Sequence, residues 1–155
     1  MDSKIIVDMK ELAPLIEEQL ASGSDATIFV TGVSMRPLFR DRRDRGVLTA
    51  CDPAKLKRGD VPFYRRDNGQ YVLHRIIGID KDGFRLSGDG QTVIEYDVRP
   101  EQIIAVMSGF YRGDRYTPCT ALRYRLYAWF WTACKRFRPY LLAIYRRCTR
   151  EKTKN

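Results

Sequence analysis

The stretch Val61–Ile79, VPFYRRDNGQYVLHRIIGI, carries two apolar runs on either side of Asp67-Asn68-Gly69. Aromatic and β-branched side chains recur in both runs, and such residues suit a pleated, half-buried surface. Asn and Gly tolerate the left-handed backbone that tight hairpin turns demand. The stretch therefore predicts two antiparallel strands, over 61–65 and 71–79. The same reading works outward to Thr27–Thr31, Arg45–Ala50, Gly83–Ser87 and Ile103–Tyr111, with Lys81-Asp82-Gly83 as a second hairpin turn. Many short strands with close turns predict a mainly β, α+β fold of coiled antiparallel sheets or a partial barrel over residues 26–112.

Helical periodicity brackets this body. Ile5, Met9, Leu12, Ile16 and Leu20 recur at helical spacing, so residues 4–21 are expected to form an amphipathic helix. Pro14 is a point of kinking or shortening, and Ser22-Gly23-Ser24-Asp25 stops the helix. Residues 120–148 read as one helix, or as two broken near Pro139. Leu122, Leu126, Phe130, Ala133, Phe137, Leu141 and Ile144 make an apolar stripe, opposite Arg125, Lys135, Arg136, Arg146 and Arg147. The 155 residues suit one domain with appendages, divided as 1–25, 26–112 and 113–155.

Charge is distributed unevenly. Residues 1–112 hold 17 Lys/Arg and 17 Asp/Glu, whereas residues 113–155 hold 11 Lys/Arg against Asp114 and Glu151. The tail thus carries the whole net charge of +9, which points to an anionic partner for the tail alone. Its Tyr124, Tyr127, Trp129, Phe130, Trp131 and Tyr140 suit a membrane interface, so residues 120–148 are expected to lie in the plane of an anionic membrane. The competing reading packs the stripe on the β body. No nucleic-acid reader motif is present. No uncharged apolar run is long enough to span a bilayer, the candidate Leu126–Cys134 being nine residues, and the charged start does not read as a secretory signal. Peripheral membrane association is expected, with a cytoplasmic location as the alternative. Cys51, Cys119, Cys134 and Cys148 lack the spacing of a zinc or redox motif. No cofactor or metal is expected.

Three segments suggest chemistry. In Gly32-Val33-Ser34-Met35-Arg36-Pro37-Leu38, a serine follows a strand and a glycine, on a turn able to expose a side chain and outward backbone N–H groups. Those are the needs of a nucleophile and its oxyanion hole. His74 is the single histidine, in Tyr71–Ile77 (YVLHRII), and imidazole is the side chain suited to take a proton near neutral pH. Along a strand it would share a face with Val72 and Ile76. In Ser87-Gly88-Asp89-Gly90 a carboxylate is available to accept from the histidine N–H; the bland reading of this segment is a turn.

The segments GVSMRPLF, KRGDVPFYRRDNGQYVLHRII and LSGDGQTV, in this order over residues 28–112, resemble the successive boxes of type I signal peptidases and of the self-cleaving repressors in the same clan. Gly59-Asp60 matches the Gly-Asp that precedes the base-bearing strand. The resemblance implies a serine endopeptidase that cleaves a precursor or leader peptide. It assigns Ser34 as nucleophile, and His74 as the base of the branch that carries histidine where other members carry lysine. It implies an acid as third member. Asp89 is placed first for that role, with Glu95 and Asp97 open. It also implies small residues before the cut bond, a substrate bound as an added strand, and Met35 as an apolar wall. The family's N-terminal membrane anchor is not read here; the charged helix stands in that place. A non-catalytic or self-cleaving regulatory protein on the same fold is the alternative.

Overall fold

The computed structural model describes residues 9–151. The chain is α+β and mostly strands, with one helix before the sheets and two after them. Helix α1 (Met9–Ala21) runs through Pro14 and buries Ala13, Ile16 and Leu20. Met9 and Leu12 pack partly against the same core; the expected Ile5 lies outside the described residues. Strands β1 (Ala26–Phe29), β2 (Asp44–Thr49), β3 (Pro62–Arg65) and β4 (Tyr71–Leu73) follow. Next come β5 (Arg75–Asp80), β6 (Gly83–Ser87), β7 (Glu95–Val98), β8 (Ile103–Arg112) and β9 (Arg115–Pro118). Helices α2 (Leu122–Ala133) and α3 (Arg138–Glu151) end the chain, joined by a short 3₁₀ turn at Cys134–Phe137.

All pairings are antiparallel and form two sheets. The larger runs β1-β2-β8-β3-β4, with β9 also on β8; the smaller runs β5-β6-β7. Strand β8 is the spine. Its full length from Val106 to Arg112 faces β2, while β3 and β9 share its other edge in succession. Register shifts at Val47/Leu48 and Phe63/Tyr64 are bulges, and bulges bend and twist a strand. The larger sheet accordingly curls into a half-barrel.

The expected strand over 71–79 is two strands. It breaks at His74, leaving β4 in the larger sheet and β5 in the smaller. The chain changes sheets at the one residue singled out as a base. Val72 and Ile76 still meet in one small core, with Leu56, Tyr64, Phe84, Leu86 and Val98. The main core joins α1, the curled sheet and α2 through Ile16, Leu20, Leu48, Phe63, Phe110, Tyr124 and Ala128.

The expected boundary at residue 112 falls inside a β hairpin, because β8 turns through Gly113-Asp114 into β9. Helix α2 is likewise part of the body. It packs through Tyr124, Ala128, Trp131 and Thr132, a face different from the expected stripe, whose Leu122, Leu126, Phe130, Phe137 and Ile144 are exposed. Pro139 lies in the first turn of α3, where a missing N–H costs nothing, so the interruption falls just before it. No helix among the described residues is long and apolar enough to cross a membrane.

Leu48 is fully buried in the main core, whereas Leu122 is 71% exposed. Leu48→Ala should therefore destabilise the fold by about 2–5 kcal/mol in denaturant melts, and Leu122→Ala by less than about 0.5 kcal/mol.

Candidate active site

Ser34 sits half-buried in the turn that leaves β1. Hydrogen bonds within the loop shape that turn: Arg36 N–H to the Val33 carbonyl, Phe39 N–H to Met35, and Gly32 N–H to Asp41 Oδ1 (2.7 Å). Met35 is buried in the main core and fastens the turn from below. Buried Asp44 holds its far end, accepting from Arg40 N–H (3.0 Å) and from the Arg43 guanidinium (2.7 and 3.0 Å). Among the described residues, the N–H groups of Ser34 and Met35 have no protein acceptor.

The Gly-Asp-Gly segment is built against this turn. Gly90 N–H donates to the Ser34 carbonyl at 2.7 Å. A Cβ on Gly88 would lie 2.4 Å from the Ser34 carbonyl oxygen, and one on Gly90 would lie 2.5 Å from that of Val33. Only glycine allows the two backbones so close. Between them Asp89 is fully buried. It accepts from fully buried Arg75 at 2.8 and 2.7 Å, and from the Tyr127 hydroxyl at 3.0 Å. Arg75 also donates to the Gly59 carbonyl (2.7 Å) and Tyr124 (3.2 Å), and lies over the rings of Tyr124 and Tyr127. Burial alone would lower the Arg75 guanidinium, but Asp89 and its neighbours hold it well above its ordinary value. The Asp89 carbonyl accepts from Trp131 Nε1 (2.9 Å), and Arg138 of α3 donates to Ser87 Oγ (3.0 Å) and the Gly88 carbonyl (3.2 Å).

His74 is 2% exposed, and its Nδ1 lies 2.9 Å from Glu95 Oε1. The carboxylate at the histidine is thus Glu95, at the start of β7. Asp89, placed first from sequence, has both oxygens engaged by Arg75, and Asp97 is exposed. Glu95 is held in turn by a bidentate pair with Arg66 (2.8 and 2.6 Å), and Arg66 also donates to Gln70 Oε1 (2.9 Å). The Tyr64 hydroxyl lies 3.3 Å from His74 Nδ1. Burial alone would raise the Glu95 carboxyl, but its hydrogen bonds with His74, Arg66 and Tyr64 outweigh this and hold it well below the usual carboxylate range. Burial, reinforced by Glu95, pushes the Tyr64 phenol far up, so it stays a neutral hydroxyl.

Ser34 and His74 line one cleft of about 460 Å³. Its walls include Ile28–Thr31 at one edge of the curled sheet and Gln70–Leu73 at the other, with Met35 between and Met9 and Lys10 of α1 at the margin. The cleft is the unclosed seam of the half-barrel. No protein-family model, no curated protein and no solved structure matches the chain.

An ionised carboxylate on Nδ1–H fixes the imidazole tautomer and leaves the lone pair on Nε2. The arrangement can accept a proton at Nε2 and stabilise the imidazolium that results. Tyr64, Arg66 and Gln70 complete it and are not apparent from sequence. Arg66 and Gln70 flank the Asp67-Asn68-Gly69 turn, and the local signal there is only that of a turn.

Because the folded Glu95 lies below its ordinary value of 4.5, its contribution to stability is present above that pH and is lost as pH falls toward the folded value. Denaturant melts of Glu95→Gln should show lower stability at neutral pH and a flatter acid limb than the parent protein, the two curves drawing together as the pH falls from the ordinary carboxylate range toward the folded value. Asp89→Asn, which strands a buried guanidinium, should cost about 3–5 kcal/mol in the same melts at neutral pH.

Proposed function

We propose that the protein is a serine endopeptidase of the signal-peptidase kind, with Ser34 as nucleophile, His74 as general base and Glu95 as the acid that orients His74. The observation that carries this reading is the location of Ser34 and His74 in one cleft, with His74 Nδ1 held by an ionised carboxylate at 2.9 Å. The half-barrel form of the sheet, with its helices fore and aft, supports the finer assignment to the signal peptidase and repressor fold.

In the proposed reaction His74 Nε2 takes the hydroxyl proton as Ser34 Oγ attacks a peptide carbonyl. The new C–O bond places negative charge on the carbonyl oxygen, toward which the uncommitted N–H groups of Ser34 and Met35 supply donors. As the intermediate collapses, the imidazolium protonates the leaving amine and the C–N bond breaks. Water then attacks the acyl-enzyme, giving a proton to His74, and as the ester C–O bond breaks the imidazolium returns that proton to Ser34 Oγ and the new carboxylic acid leaves.

The cleft suits an extended chain. Its two long walls are the outer strands β1 and β4 of one sheet, and unpaired strand edges accept an added strand by main-chain hydrogen bonds. A precursor or leader peptide entering as a strand would bring its backbone past Ser34 without first unfolding the enzyme.

A serine-directed acylating probe, followed by mapping of the modified peptide, should label Ser34 alone. Ser34→Ala should abolish labelling with the melting temperature preserved, and Glu95→Gln should slow it by up to about 10⁴-fold, the loss seen when the acid of a known triad is neutralised. Undiminished labelling of Ser34→Ala would overturn the reading.

A further inference from the structure

The fold leaves large apolar side chains exposed on the outer face of α2 and on the segment after it. Leu122, Leu126, Trp129 and Phe130 follow one another by steps of four, three and one, which places them on one side of the helix. The opposite side carries the packed Tyr124, Ala128 and Trp131. Trp129 is 68% exposed and Tyr140 is 71% exposed, with Phe137 and Ile144 similarly open. So many large apolar side chains in one short segment exceed the scatter of single exposed residues normal for a protein surface.

The charge around them selects the occupant. Arg125, Arg136 and Arg147 are exposed in the same segment of chain, and the chain from Arg115 to Arg150 contains no acid at all. A second copy seated on this face would bring two such cationic segments together, whereas an anionic surface satisfies them. Leu122, Leu126 and Ile144 require an aliphatic environment as well, which a nucleic acid does not offer. Exposed Trp and Tyr between aliphatic residues and arginines are the composition of a segment lying at the head-group boundary.

We infer that the outer face of α2 and α3, centred on Trp129 and Phe130 and rimmed by Arg125, Arg136 and Arg147, docks the protein in the plane of an anionic lipid bilayer. The inference does not depend on the peptidase chemistry. It gives α2 two working faces: the outer one rests on lipid, while Tyr127 and Trp131 on the inner one hold the Asp89 segment beside Ser34.

The test is co-sedimentation of the full chain with vesicles of phosphatidylcholine, with and without about one third phosphatidylglycerol. Partition onto the anionic vesicles should exceed that onto neutral ones by at least about tenfold and weaken with added salt. Trp129→Ser combined with Phe130→Ser should reduce anionic binding by about tenfold or more, as should Arg125→Glu with Arg136→Glu, each retaining the parental melting temperature. Should the serine pair unfold the protein, Leu122→Ser with Tyr140→Ser is the substitute. Equal partition of parent and variants, or no binding to either vesicle, would overturn the inference. So would a parental dimer that the Trp129/Phe130 variant converts to monomer, since the face would then belong to a second copy.

Discussion

The ion pair between Arg75 and Asp89 is the constraint on which the site rests. Arg75 follows His74 in the chain, and Asp89 lies between the two glycines that touch the Ser34 turn. One bidentate contact thus ties the residue after His74 to the segment packed on the Ser34 turn. A buried ion pair of this sort contributes little net stability, because desolvation offsets most of the attraction. Its value here is geometric. Two planar groups meeting through parallel hydrogen bonds define both distance and orientation, and Tyr124, Tyr127 and Trp131 enclose them against water.

The carboxylates therefore divide by environment. Asp89 is dry and saturated, sealed behind the turn. Glu95 is partly open and shares its oxygens between His74 and Arg66. Arg66 stabilises the negative charge and also restrains the carboxylate, which in turn holds the imidazole. The two acids are six residues apart in sequence, but one braces the segment behind the Ser34 turn and the other holds His74.

The body of the fold was legible because its signals are local. Hairpin turns at Asp67-Asn68-Gly69 and Lys81-Asp82-Gly83 and runs of β-branched residues mark five of the strands with small boundary errors, and a sixth run covers β4 and β5 together. Strands β7 and β9 were not, because Glu95–Val98 and Arg115–Pro118 have few apolar residues and exist through their partners. Strand β7 is paired to β6, while β9 closes on β8 with Tyr111 and Tyr116 in ring contact at 5.1 Å. The interruption at His74 was hidden for the same reason. Apolar residues continue on both sides of it, and only the choice of sheet differs. Ser34, His74 and the neighbourhood of Asp89 could be picked out by residue type and order. Which acid meets the imidazole could not, because that depends on how β7 is brought beside the β4–β5 junction. The helical stripe expected over residues 122–144 is interrupted at Cys134–Phe137, and periodicity does not say which of two apolar faces of α2 turns inward; Tyr124, Tyr127 and Trp131, which hydrogen-bond to Arg75 and the Asp89 segment, decide it.

The open seam has a consequence for the molecule as a material. A sheet that stops short of closing keeps two rows of backbone donors and acceptors turned toward each other across a gap. Closure would end any hazard of edge-to-edge aggregation, but it would also remove the opening. Here α1 lies at the margin of the gap, and half-buried Met9 packs against the main core. The opening is thereby confined between two walls and a helix, which denies a second folded sheet the flat approach that stacking requires.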